Sequence, residues 1–200
     1  MNLDLTIPWD VVLALLPLYS FFIGLILLRN VLRSLGKKLK KTLAKKTHEK
    51  KLNKFERNYG KLTMAKVDEM TGKEFELLVE KLIRIVYQDK VIRTETTPNT
   101  GDQGCDLLVY LKNEPYKGEL LLGVQCKRYK GNVGNKPVQE ILGAKAIYGL
   151  HLLMAVTNRH FTLGGMKAGL ESKVTMIDRD KLQTWIDIYN QKLGKLHGKK

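Results

Sequence analysis

Eighteen consecutive residues, Val11 to Leu28, carry no charge: VVLALLPLYSFFIGLILL. A helix through them would rise ~27 Å at ~1.5 Å per residue, close to the hydrocarbon thickness of a bilayer. Pro17 and Gly24 are tolerated in membrane helices, and Trp9 suits an interface. Arg29, Arg33, Lys37, Lys38, Lys40 and Lys41 follow at once. The positive-inside rule then sets the C-terminal side in the cytoplasm, which predicts a single-pass protein of the inner (plasma) membrane. A cleaved signal peptide fits poorly: no basic residue precedes the run and no small-x-small site follows it. A buried core helix is the remaining rival reading.

The charge divides the chain. The net +15 of the 200 residues is uneven. Residues 1–28 carry two acids and no Lys or Arg, and residues 29–66 carry 14 Lys and Arg against 2 acids. Such a concentration suits an anionic lipid surface or nucleic acid, and charge alone does not choose between them. Residues 29–66 read as a basic amphipathic helix or linker, with one apolar stripe of Leu32, Leu35, Leu39 and Leu43 and a second of Leu52, Phe55, Tyr59 and Leu62. Lying on headgroups, pairing with a partner helix, guiding DNA and serving as a solvated spacer all remain open for it.

Residues 67–190 have the composition of a globular domain, followed by a basic tail over 191–200. Thr71-Gly72-Lys73-Glu74 is a capping box that opens a helix with Phe75, Leu78, Val79, Leu82, Ile83 and Val86 on one face. Strands are expected at Val91–Thr97, Asp106–Leu111 and Leu120–Tyr129, then a helix over Pro137–Tyr148 and a strand over Leu152–Thr157. A helix over Phe161–Ser172, a strand over Val174–Ile177 and a helix capped by Asp178 complete the set. Helices alternating with strands in this order predict an α/β sandwich around a mixed sheet.

The two cysteines, Cys105 and Cys126, form no disulfide framework, and two free thiols in a reducing compartment are expected unless their strands pair. His48, His151, His160 and His197 show no metal-ligand spacing.

Two motifs carry chemistry. Gly101-Asp102-Gln103-Gly104-Cys105-Asp106 runs into one apolar strand, and Gln125-Cys126-Lys127 ends the next. Strand alternation sets Gln125 and Lys127 on one face and Val124 and Cys126 on the other, so the polar pair would face outward or into a cleft. Antiparallel pairing would bring Asp106 beside them, with Asp102 close by. On the helix from Thr71, Glu76 falls at the edge of the apolar face, while Glu80 and Glu74 fall further toward solvent. Carboxylates and an amide oxygen suit Mg²⁺, with Mn²⁺ as an alternative.

Met70–Glu76, GDQGCDLLV (101–109), VQCKRY (124–129), VGNKPVQEILGAK (133–145), VTNRHFT (156–162) and IDRDKL (177–182) together resemble the Mrr-type restriction endonuclease domain of the PD-(D/E)XK nuclease superfamily. The resemblance spans about 67–190 and omits 1–66. It implies a restriction-endonuclease-like core and Mg²⁺-dependent hydrolysis of DNA phosphodiesters, commonly in restriction of foreign or modified DNA. It assigns catalytic roles to Glu76, Asp106, Gln125 and Lys127, with Glu76, Asp106 and Gln125 as metal ligands. Gln125 stands where the wider superfamily has a second acid, as is usual in Mrr-like domains. Arg128, Lys130, Lys136 and Arg159 are candidates for phosphate contacts. DNA, membrane lipid and a second copy of the chain are the expected partners. A non-catalytic, membrane-tethered DNA-binding protein and a structure-specific junction nuclease are the alternatives.

Overall fold

The computed structural model describes residues 9–97 and 104–197. Helix α1 (Trp9–Tyr59) takes in the uncharged run and most of the basic segment. The chain divides into two compact units between Lys51 and Leu52. In the first unit the apolar side chains from Tyr19 to Leu28 are exposed, as are Leu32, Leu35, Leu39 and Leu43. By length and composition this is the one helix among the described residues able to cross a membrane.

The second unit starts earlier than the composition suggests. Leu52, Phe55 and Leu62, the second stripe of the expected linker, are buried in its core. The single helix expected over 29–66 breaks at Gly60, whose φ of +52° is a left-handed conformation that glycine takes without strain. A short helix, α2 (Met64–Glu69), follows behind its own cap, Thr63. Asn190 clamps the break, donating from Nδ2 to the Leu62 carbonyl and accepting from the Leu62 amide, both at 2.9 Å.

Helix α3 (Gly72–Val86) starts at the expected capping box. The Thr71 hydroxyl accepts from the Glu74 amide at 3.3 Å, and the Glu74 carboxylate accepts from the Thr71 amide at 2.8 Å. Strands β1 (Val91–Thr96), β2 (Leu107–Lys112) and β3 (Glu119–Lys127) form an antiparallel meander. Helix α4 (Lys136–Tyr148) crosses over to β4 (Leu152–Thr157), and α5 (Leu163–Glu171) crosses to β5 (Thr175–Ile177); both strands join in parallel. Helix α6 (Arg179–His197) closes the chain. The five strands lie in sequence order, so the expected mixed sheet is present.

Each face of the sheet carries its own core. Phe75, Leu78 and Leu82 of α3 and Leu182 and Ile186 of α6 pack with Val109, Val124, Cys126 and Val156. Val138, Ile141 and Ala144 of α4 pack on the other face with Cys105, Leu153 and Ala155. Helices on both faces explain why β3 and β4 read as continuous apolar runs rather than alternating ones.

Candidate active site at the end of β3

The β2–β3 ladder ends at Leu107 opposite Val124, and Asp106 continues it in a different way. Its amide donates to the Val124 carbonyl at 2.9 Å. Two residues along the same edge of β3, the Cys126 amide donates to Asp106 Oδ2 at 2.7 Å. A carboxylate thus occupies the place where the next strand residue would pair. Asp106 is 9% exposed, and Thr97 steadies its turn by donating its amide to the Asp106 carbonyl at 3.2 Å.

Gln125 is buried because α4 packs on that face of β3, so of the two expected placements, outward or into a cleft, the outward one is corrected. Its Oε1 has no hydrogen-bond partner. Buried polar atoms are almost always satisfied, so a bare carbonyl oxygen here calls for an explanation. A carboxylate and an amide oxygen are hard donors of the kind a divalent cation takes, so by chemistry Asp106 and Gln125 fit such an ion.

Lys127 ends β3 with Nζ 2.8 Å from Glu140 Oε2 of α4. Burial works to lower the Lys127 pKa, but the paired Glu140 carboxylate, together with the charge of Asp106, holds it above the ordinary lysine value. The group is therefore an ammonium ion near neutral pH and not a proton acceptor.

Glu76 is partly buried on α3 and pairs with Lys73 at 2.8 Å, one turn of helix from Glu80. Glu80, expected toward solvent, is fully buried. The β1 strand covers it: Thr94 donates to its Oε1, and Arg84 Nη2 lies 2.8 Å from the same atom. Helical phase could not reveal a strand packed on that side. The Cys126 thiol is buried in the core that α3 covers. Burial pushes it well above the ordinary thiol value, and the charges of Asp106 and then Glu76 push it further. Cys105 is pushed up to about 11, chiefly by burial. Both thiols are free and belong to different cores.

The basic candidates divide into two pairs. Lys130 and Lys136 are exposed. Arg128 and Arg159 are committed to an internal network centred on Asp68 of α2. Arg128 Nη1 donates to the Asp68 carbonyl at 3.1 Å, and Arg159 Nε donates to the Tyr129 carbonyl at 3.2 Å. Asp68 receives Arg179 Nη1 at 3.0 and 3.1 Å and Asn158 Nδ2 at 2.8 Å. Asp102 and Gln103 lie outside the described residues. His160, Asp178 and Asp180 bring ligand atoms within 4.8 Å of one another, but on the surface, where Asp178 already accepts from the Lys181 amide in the first turn of α6.

Glu140 was missed in the sequence. Its signal was there: it shares a helical stripe with Pro137, Ile141 and Ala144, all buried, so an acid stands on a face turned toward the sheet.

A mixed five-stranded sheet with helices on both faces is a restriction-endonuclease-like fold. The family model described as restriction endonuclease, the Mrr catalytic domain, matches residues 67–186, and the chain belongs to that family. Among solved structures, the DNA modification-dependent restriction endonuclease AspBHI is 16% identical with a TM-score of 0.46, over 74% of this chain and 40% of that one. The MspJI restriction endonuclease in complex with a 27-mer oligonucleotide is 17% identical with a TM-score of 0.43, over 74% and 34%. Protein VC1899 from Vibrio cholerae is 16% identical with a TM-score of 0.41, over 62% and 34%. The chain thus spans well under half the length of these proteins. No curated protein matches it.

Proposed function

We propose that this chain is a membrane-anchored, divalent-metal-dependent endodeoxyribonuclease that hydrolyses DNA phosphodiesters, in restriction of foreign or modified DNA. One observation carries the reading. The last three residues of β3 carry an unpartnered buried carbonyl oxygen on Gln125 and the ammonium of Lys127, with the Asp106 carboxylate bonded to the Cys126 amide between them, in a chain whose family is that of restriction endonucleases.

Asp106 and Gln125 would hold the cation, Mg²⁺ by preference, and Glu76 would add a second negative charge from α3. When bound, such an ion would supply a water of lowered pKa and neutralise charge on the attacked phosphate. Lys127, fixed as a cation, orients the nucleophile and stabilises the transition-state charge. Lys130 and Lys136 touch the DNA backbone without reading sequence. Arg128 and Arg159 act as braces for the strand ends that carry the site. One such site cuts one strand, so a second copy of the chain is needed for a double-strand break.

The apolar segment of α1 anchors the protein in the inner membrane, with the nuclease unit in the cytoplasm. The support is its length, its freedom from charge and the basic residues that follow. A reporter fused to the C-terminus reads the topology: activity of a periplasm-only reporter would overturn it.

The catalytic test is plasmid nicking by the full-length chain in detergent, with and without Mg²⁺. The expected result is Mg²⁺-dependent nicking that Asp106→Asn and Lys127→Ala each slow by about 100-fold or more, to a residual rate that is still measurable. Salt-sensitive DNA binding with no nicking in any divalent metal would instead mark a DNA-binding tether.

A further inference from the structure

We propose that Glu140 is a positioning residue that holds Lys127 in its working place; the proposal rests on the nuclease reading given above. A lysine ammonium sits on a flexible four-carbon stem and needs an external hold to act at one point. Glu140 provides it, with Oε2 at 2.8 Å from Nζ and both side chains about three-quarters buried, at 25% and 21% exposure. This is no surface ion pair. Glu140 stands in the stripe of α4 that faces the sheet, between Pro137 and Ile141.

The second observation is the seat of α4 itself. Gly104, two residues before Asp106, lies so close to the helix that a Cβ there would be 2.2 Å from the Glu140 carbonyl oxygen. Its φ of +80° already favours glycine. The turn that presents the acid therefore rests on the backbone of the residue that holds the lysine. Asp106, Lys127 and Glu140 come from a turn, a strand and a helix that touch at one spot. A shift of α4 would move Lys127 relative to Asp106, and small misplacements of this kind are expensive in rate.

The experiment compares wild type, Glu140→Gln, Lys127→Ala and the double variant, all full length in detergent, on supercoiled plasmid with Mg²⁺. Glu140→Gln keeps the size of the side chain and removes the charge. A positioning role predicts that kcat falls by about tenfold or more while KM for DNA stays within about twofold. Affinity for Mn²⁺ alone, measured by calorimetry, stays at the wild-type value, and the double variant is no slower than Lys127→Ala. Glu140→Asp, with its carboxylate one carbon short of Lys127, loses rate in the same way and guards against a folding defect peculiar to the glutamine variant. A wild-type kcat in Glu140→Gln overturns the proposal. So does a rate loss matched by weaker Mn²⁺ binding, which would make Glu140 a metal ligand, and so does an additive loss in the double variant. Failure of the wild type itself to nick DNA removes the nuclease reading, whereas nicking that is indifferent to Glu140 removes only this inference.

Discussion

The Asp106 carboxylate and the Cys126 amide are joined at 2.7 Å in the position where a sheet would continue. The aspartate therefore does two jobs, satisfying a strand edge and presenting negative charge at the end of β3. The two jobs separate by mutation. Asp106→Asn retains an acceptor for the amide and loses the charge. It should fold with a melting temperature within a few degrees of wild type, since ~1 kcal/mol moves Tm by a few degrees in a domain of this size. Its nicking rate should fall by about 100-fold or more, as befits loss of a metal-holding charge.

Gln125→Leu makes the reverse separation. The glutamine oxygen is buried and without a partner, so a leucine of similar volume removes an unsatisfied acceptor. Thermal unfolding should show stability unchanged or raised by up to about 1 kcal/mol. Mg²⁺-dependent nicking should be lost, and Mn²⁺ affinity by calorimetry should drop. A variant that is both less stable and equally active would contradict the assignment.

Gly104→Ala tests the seat of α4 without touching a charged group. The added methyl meets backbone, not a flexible side chain, and the residue keeps a positive φ. A loss of about 1–3 kcal/mol is expected in denaturant unfolding. Surface replacements such as Lys130→Ala should leave stability within about 0.5 kcal/mol.

Asp68 sets an acid limit on stability. Burial works to raise its pKa, but Arg179, Asn158 and Arg159 hold it below the usual carboxylate value. A group depressed in the folded state contributes stability above its unfolded pKa of about 3.9 and loses it as pH falls through the folded value. Melting temperature should therefore drop as pH goes from about 5 toward 3, and Asp68→Asn should flatten that drop while lowering Tm at neutral pH. A variant with the wild-type slope would show that other carboxylates govern the acid limb.

Much of the sheet was legible because both of its determinants are local. The strand boundaries of β4 and the capping box at Thr71 were read from apolar runs and a four-residue spacing, and both lie where expected. Two kinds of information were not local. The burial of Glu80 depends on β1 folding over α3, and helical phase holds no record of that neighbour. The engagement of Arg128 and Arg159 depends on Asp68, 60 residues before Arg128 in the chain. The candidate site shows the same division: Asp106, Gln125 and Lys127 stand out through motif and alternation, whereas Glu140 gains meaning only once α4 lies across β3.

The early start of the second unit has a practical edge. Phe55 and Leu62 belong to the same hydrophobic interior as the sheet and Leu52 is buried as well, although composition alone would assign all three to the basic linker. A soluble version trimmed back to Val67 would leave a raw apolar hollow and a tendency to aggregate. One trimmed at Leu52 would retain its own lid, and a protease digest should stop at that border.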